Sequence, residues 1–427
     1  MRVRLGSDFG RLWSAYAVST YGTWTAFGAF PLIAVRVLHS SPFAVSLLGA
    51  AGLAVAALVA FPLGPWVEHR AKRPVMAATD LVRFLAMGSV PLAYVLGVLS
   101  YGQLLCVSVI CGTAGIAFTA ASGAYLKHLV HSDHLLVANS RFEGTSWVAT
   151  AVGPPLGGAL IGLLGPAVTV LLDALSYLLS ALGILRIRGG DVATPRSPAG
   201  GPRGADLLDG WRCILRDGAL RRLFLNSILV SGLIMAAVPL LTVLLLGVYH
   251  FPAWQYGLAF GVPALGGLVG ARLSARLVRR YGRYRVLTVS GLLRALFPLG
   301  LAFVRPGIPG LLTVIVVESL LITCMGVFNP IHATERLRRA PADRAAQVIA
   351  AWSVSSRLVQ AALTVLWGIL ATLTGPLAGI TLSGVLLLAT PLLLPGRAHL
   401  SGSVEGGLES GSRKRGAALS GRGSGGA

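Results

Sequence analysis

Twelve stretches of about twenty apolar residues follow one another along the chain, and a stretch of that length crosses the hydrocarbon core of a bilayer as one helix. They lie near residues 12–35, 43–66, 75–97, 103–126, 143–164, 167–187, 222–247, 255–277, 285–304, 309–331, 346–372 and 376–395. In lipid every backbone donor and acceptor has to be satisfied internally, so such a chain folds as a bundle of helices. Charge usage agrees: 12% of the residues are charged, about half the share in a soluble domain. The expected fold class is an all-α membrane protein with twelve transmembrane helices.

The net charge of +21 is distributed unevenly. Alternating the loops puts Arg2, Arg4, Arg11, Arg70, Lys72, Arg73, Lys127, the bases from Arg186 to Arg222 and from Arg272 to Arg285, Arg336, Arg338, Arg339, Arg344 and the tail on one side. The other side receives only Arg36 and Arg305. This positive-inside asymmetry predicts an even number of spans with both termini cytoplasmic, in the cell inner (plasma) membrane. It also assigns the bases to topology and the lipid bilayer, and no groove-reading motif interleaves with them to suggest nucleic acid. Cys106, Cys111, Cys213 and Cys324 have neither zinc nor redox spacing and read as small apolar fillers. The first apolar stretch is too long for a cleaved signal peptide, and eleven more follow.

The longest polar interval, residues 188–217, divides the spans six and six. Its Pro/Gly/Ser-rich start reads as a linker and Leu207 to Leu215 as a short amphipathic helix on the inner surface. The expected organisation is an N-terminal six-helix half (1–187), a cytoplasmic central loop (188–217), a C-terminal six-helix half (218–395) and a disordered Gly/Ser/Arg-rich tail (396–427). A shift of about 211 residues aligns "RPVMAATDLVRFLA" (73–86) with "YRVLTVSGLLRALF" (284–297), Arg83 falling on Arg294. The small residues Gly52, Ala56, Ala60 and Gly64 fall on Pro263, Gly267, Ala271 and Ala275, and at a shift of 210 Leu164-Gly165-Pro166 falls on Thr374-Gly375-Pro376. The halves are thus expected to be parallel repeats about an axis along the membrane normal, with a pathway between them.

Two motifs carry a resemblance. In "GPWVEHRAKRPVM" (64–76) Gly64 is followed four residues later by the acid Glu68, then His69, Arg70, Lys72 and Arg73. In "AVGPPLGG" (151–158) Gly153-Pro154 and Gly157-Gly158 lie in span five, with Ala149 one turn earlier. The chain resembles the major facilitator superfamily over residues 9–395, and within it the siderophore and macrolide efflux carriers. The resemblance implies two pseudo-symmetric six-helix bundles working by alternating access. It makes the first motif a charge-pair latch at the inner gate, with Glu and His where the usual pattern has Asp and Arg. The second motif matches the span-five signature of proton-coupled exporters, with Ala149 where a glycine is usual. Read from the residues alone, the first motif is equally a basic topological anchor and the second a packing kink. Small residues at 149, 153 and 157 share one face and let a neighbouring helix approach closely. The related stretch "ARLSARLVRRYGRYRVL" (271–287) keeps the bases but has no acid and reads as an anchor.

Charges inside the membrane cost about 2.5–3.5 kcal/mol on insertion scales, so each is a functional candidate. Glu318 stands near the middle of span ten as a proton-coupling or substrate acid, or as a partner of Arg294 or Arg357. Asp173 in span six is a second such acid, and Arg357 in span eleven a counter-ion for Glu318 or for an anionic substrate. Asp80 with Arg83, near the inner end of span three, and Arg141 with Glu143, at the start of span five, read as gate or packing ion pairs. Tyr16, Tyr21, Trp24, Phe27 and Phe30 in span one line a cavity or form a packing stripe. His128, His131 and His134, with Asp133, drift off one helix face, so no metal is expected.

Together with these features, the resemblance implies a secondary active exporter of a small lipophilic molecule such as a drug, antibiotic or siderophore, acting as a monomeric proton antiporter. No Walker-type phosphate loop occurs, no convergent catalytic set is visible, and neither enzymatic activity nor a cofactor is expected. Uptake by symport, uniport of a metabolite, and a membrane sensor are the alternatives.

Overall fold

The computed structural model describes residues 5–68, 70–131, 134–188, 204–339 and 345–394. Among them no strand occurs. The first sequence half supplies α1 (Ser7–Thr25), α2 (Pro42–Glu68), α3 (Lys72–Val95), α4 (Tyr101–Leu129), α5 (Leu135–Leu164) and α6 (Pro166–Leu185). A connecting helix α7 (Gly204–Arg216) leads to α8 (Gly218–Val243), α9 (Ala253–Tyr281), α10 (Arg283–Leu296), α11 (Ile308–Arg339), α12 (Ala345–Thr374) and α13 (Pro376–Leu387). Ten helices among the described residues are long and apolar enough to cross a membrane. α1 and α2 supply the other two predicted spans, giving two six-helix bundles. The tail from 396 lies outside the described residues.

Local chemistry sets several helix ends. Ser100 caps α4 by accepting from the Gln103 N–H at 3.2 Å, and Asp217 caps α8 by accepting from the Ala219 and Leu220 N–H groups. Between α5 and α6 the turn is Gly165 at φ 84°, followed by Pro166 at the first helical position; Gly375 at φ 87° and Pro376 repeat it between α12 and α13. Glycine supplies the left-handed conformation that stops one helix, and proline starts the next.

The 211-residue repeat extends to irregular backbone. A π turn at Ile33–Val37 recurs at Leu244–Val248. Each is followed by a histidine at positive φ, His39 at 47° and His250 at 52°. The closing bonds match too, Ser40 N–H to Ala34 O and Phe251 N–H to Leu245 O, both at 2.8 Å.

The first span is not the continuous helix expected over 12–35. α1 ends at Thr25, a turn covers Ala26 to Gly28, and the helix resumes at Ala29. The break lies where α9 presses in: the Tyr256 ring fills the space a side chain on Gly28 would need, and Phe27 packs between Trp24 and Phe260 at 5.6 Å from each. The connecting helix also departs from a surface position. Trp211 Nε1 donates to Ser355 Oγ at 2.8 Å, Ile214 is fully buried, and Gly210 sits against the Gln347 carbonyl, so α7 packs on α12.

One apolar core is shared by both bundles and two are private. The shared core joins the ends of the first two spans (Ala29, Leu32, Leu48) to Leu240, Leu244, Tyr256 and Trp367 of the second half. It lies on the side away from the lysine- and arginine-rich loops, called here the far side. On the opposite, basic side, Phe9, Met76, Tyr125 and Ile184 form one separate core and Leu223, Phe328, Val348 and Trp352 another. The bundles are therefore closed together on the far side and packed independently on the basic side.

Span five builds half of this closure. α5 runs unbroken for 30 residues through Pro154 and Pro155. Gly153 and Gly157 face α1, where an added Cβ would meet Trp24 and collide with the Thr25 carbonyl. The other side faces α9: the Pro154 carbonyl lies on Gly257, the Pro155 ring on Gly261, and Gly158 on the Ala253 carbonyl. Pro155 leaves the Ala151 carbonyl without its helical donor, and that carbonyl rests against Gly261. Trp147 against Gly267 continues the seam toward mid-helix. A second seam joins α2 and α12, with Gly368 on Ser46 and Phe43. Arg36, one of the two far-side cations, donates to the Phe251 carbonyl at 2.6 Å and ties the halves at the rim.

Two outcomes follow from this packing. Gly157→Ala places a methyl on the Thr25 carbonyl and should lower stability by about 1–3 kcal/mol, read as a drop in Tm of the detergent-solubilised protein. Gly162→Ala, which meets nothing within 4 Å, should melt like wild type; equal Tm values for the two variants would remove the close-approach role. In the second bundle, buried Arg294 donates to Asn226 Oδ1 and stacks 3.4 Å from the Phe328 ring centroid, while Asn226 Nδ2 donates to the Thr390 carbonyl at 2.7 Å. Asn226→Ala strands that guanidinium and should cost on the order of 2 kcal/mol, again seen in Tm.

Candidate functional site

Between the bundles, on the basic side of the seam, lies a cavity of about 530 Å³, a volume suited to a drug-sized ligand. α1 contributes Tyr16, Ser19, Thr20, Thr23 and Trp24, α4 contributes Gly112 to Ala120, α3 contributes Arg83 and α12 contributes Arg357. The cavity thus takes residues from both halves. Trp24 forms its floor, packed on Gly153 of the seam. The lining is chemically mixed, with hydroxyls, the aromatic rings of Tyr16, Trp24 and Phe118, and two guanidinium groups. No carboxylate occurs among the described residues that line it.

The acids stand behind this wall. Arg83 Nη1 reaches Asp80 Oδ1 at 3.4 Å, and its guanidinium lies over the Phe118 and Tyr177 rings at 5.3 and 5.1 Å. Tyr177 shares a 2.8 Å hydrogen bond with Thr23 Oγ1, which reaches the cavity. Asp173 lies one turn from Tyr177 on the same helix face, 3% exposed, accepting from Ser176 Oγ at 3.4 Å and within electrostatic reach of Arg83. Gly22 of α1 has no room for a Cβ against Ser176 and Asp173, so α1 and α6 are pressed together at this acid. Asp80 Oδ2, Arg83 Nε and Ser180 Oγ are buried without a hydrogen bond of good geometry among the described residues, and Asp80 and Ser180 lie within interaction range of each other. Arg83 is the twelfth residue of the 24-residue α3, so the pair sits at mid-membrane, not near the inner end as expected from the sequence.

Other candidates separate from this cavity. Glu318 faces a narrow space of about 20 Å³ inside the second bundle, among Ile234, Val238, Leu301 and Ser383. It makes no ion pair with Arg294, which is held by Asn226, or with Arg357, which lines the central cavity. Tyr21 is 37% exposed and does not line the cavity, whereas Tyr16 and Trp24 do. Phe30 packs on the shared core. Arg141 and Glu143 are both exposed and do not pair; two residues apart on a helix they point to different sides, and Arg141 lies over the Phe9 ring at 5.6 Å. Ala149 is fully buried on the face of α5 that carries Gly153.

At the first motif, buried Lys72 donates to the Arg70 carbonyl at 2.7 Å, and Arg73 donates to the Leu185 carbonyl, tying α3 to the end of α6. His69 lies outside the described residues, and of Gly64 and Glu68 only the backbone is described. The rings of His131 and His134 are 6.5 Å apart; Asp133 lies outside the described residues. The related stretch of the second half, with no acid of its own, meets one from another helix: Glu335 of α11 pairs with Arg283 at 3.2 Å and with Arg338 at 3.8 Å. "ATERLRR" shows that acid among bases, but only the fold brings it to Arg283.

Two apolar recesses lie apart from this cavity. One of about 750 Å³ lies on α3 and α4 between Arg70 and Ala117, and one of about 450 Å³ lies on α9, α10 and α11 between Leu273 and Val327. Pro74, Val75, Ala78, Thr79 and Val82 of the first correspond at the 211-residue shift to Arg285, Val286, Val289, Ser290 and Leu293 of the second. Each recess belongs to a single bundle, so neither offers a route between the two.

Known proteins share both this architecture and part of the sequence. The chain is 28% identical over 346 residues to the multidrug efflux pump Tap of Mycolicibacterium fortuitum, an alignment covering 75% of this chain and 78% of that protein. The solved nucleoside transporter NupG superposes with a TM-score of 0.72 at 11% identity, covering 93% of this chain and all of that one. A bacterial homologue of the iron transporter ferroportin, in an inward-facing state, superposes at 0.66 with 17% identity, covering 89% and 98%. At these identities the superpositions establish the fold. Residues 12–364 match the model of the Major Facilitator Superfamily, and the chain, a multi-pass membrane transporter, belongs to that family.

Proposed function

We propose that this transporter is a proton-coupled exporter that moves a small lipophilic molecule across the cell inner membrane by alternating access, as a monomer with both termini in the cytoplasm. The observation that carries this reading is the central cavity: about 530 Å³, lined from both halves, closed on the far side and backed by buried acids. With the basic side taken as cytoplasmic, the closed far-side seam makes this an inward-facing arrangement ready to load cargo from inside the cell. The moving bodies are residues 1–187 and 218–395, with 188–217 between them. The span-five signature and the likeness to a multidrug efflux pump favour export over uptake.

Proton coupling is assigned to Asp173, with Asp80 as its neighbour and Arg83 as the go-between. Arg83 is the member of this group that faces the cavity, while both acids act on it from behind. A proton on either acid removes a charge that holds Arg83 in place, and cargo in the cavity acts on the same side chain from the other side. Protonation and cargo binding are then linked, each altering the affinity for the other. Glu318, enclosed in the second bundle, is the second candidate for the proton. Rocking then requires the far-side seam to open and the motif at Gly64 to Arg73, with Arg141 and Glu143, to close the inner gate.

Everted membrane vesicles loaded with a pH-sensitive dye, and given a panel of antibiotics and other lipophilic compounds, test this. Wild type should release protons on addition of a transported compound. Asp173→Asn should lose that release at least tenfold, and Glu318→Gln should keep it. Transport without proton release would sink the coupling, and movement of cargo together with protons would make the protein an uptake symporter.

A further inference from the structure

We infer that the transported molecule carries an anionic group, a carboxylate or a comparable oxyanion, and that Arg357 receives it. This rests on the reading above only in taking the central cavity as the cargo site. The two charged residues on the cavity wall are both cations, one from each half, and no acid lines it among the described residues. They are not equivalent. Arg83 is occupied by Asp80 and by two aromatic faces. Arg357 has no hydrogen bond or ion pair with any described residue, is only half-buried, and sits near the middle of α12. A guanidinium at that depth without a counter-charge is expensive, and an arriving carboxylate satisfies it with two parallel N–H···O bonds.

The rest of the wall describes the remainder of the ligand. Trp24, Tyr16 and Phe118 offer aromatic faces, and Ser19 and Thr20 add hydroxyls. An amphiphilic anion with a ring system fits this lining. A cation does not, because Asp80 and Asp173 lie behind Arg83 and Glu318 lies in a different cavity.

The test uses the full-length protein in detergent and three probes of one shape: 2-naphthylacetate, its neutral amide, and 2-naphthylethylammonium, each measured by equilibrium dialysis. The carboxylate should bind at least tenfold more tightly than the amide, and the ammonium most weakly. Arg357→Gln should bring the carboxylate down to the level of the amide, with an unchanged Tm showing that the variant is folded; Arg357→Lys should retain part of the preference. Equal binding of the three probes, preference for the ammonium, no binding of the carboxylate, or a carboxylate preference that survives Arg357→Gln overturns the inference. Energised everted vesicles separate this from the export reading. Carboxylate preference without energy-dependent uptake leaves the anion site standing and removes export. Energised uptake of the ammonium or amide without carboxylate preference does the reverse.

Discussion

Everything in this transporter hangs on how closely α5 and α9 approach on the far side. Lipid is as apolar as leucine, so helices in a membrane gain little by hiding apolar surface and must gain from direct contact. Pro155 on Gly261, the Pro154 carbonyl on Gly257 and Gly158 on Ala253 bring backbone against backbone, at distances that no residue with a larger side chain permits. The two consecutive prolines, costly in a soluble helix, here provide a rigid ridge and a freed carbonyl, both used by the opposing glycines. Where the seam reaches Trp147 and Gly267 the shared core ends, and the bundles part into separate cores with the cavity between them. The location of the cavity is thus a consequence of where the small residues stop.

The same contact explains the interruption of span one. Gly153 and Gly157 draw α1 onto α5 from one side while Tyr256 and Phe260 of α9 press on Gly28 and Phe27 from the other. The chain yields between them, and Trp24, just before the break, is left as the floor of the cavity. An element that touches both halves and the cavity is well placed to report cargo binding to the seam.

Much of this is legible in the residues, within a clear physical limit. Span number, the Gly-Pro hairpins and the 211-residue repeat follow from length, composition and local backbone chemistry, which act within a few residues of each other. Helix facing does not. In a helix apolar on every side there is no polar stripe to mark the interior, so Tyr21 and Tyr16 look alike in sequence although only Tyr16 lines the cavity. Charge partners are equally hidden. Glu335 finds Arg283 across two helices, Arg36 finds a carbonyl of the other half, and Arg141 and Glu143, two residues apart in sequence, do not meet. The break in span one belongs to the same class, since its cause is a ring on a helix more than two hundred residues away.

The duplicated arginines show how two copies of one fold come to differ in role. Arg83 and Arg294 occupy matching places on α3 and α10, and each lies over an aromatic ring. Arg294 is tied to the neutral amide of Asn226, which is itself anchored to the Thr390 carbonyl. That arrangement has no proton to exchange at its contact and a fixed geometry, so it holds the second bundle together. Arg83 meets ionisable acids instead, faces the cavity, and leaves Asp80 Oδ2 and its own Nε without a hydrogen bond of good geometry among the described residues. Carboxylates in place of an amide beside the repeated cation give a group whose partners can depend on protonation, as the proposed coupling requires. In the proposed rocking mechanism, coupling in the first half and rigidity in the second complement each other, because one bundle must keep its shape for the other to work against it.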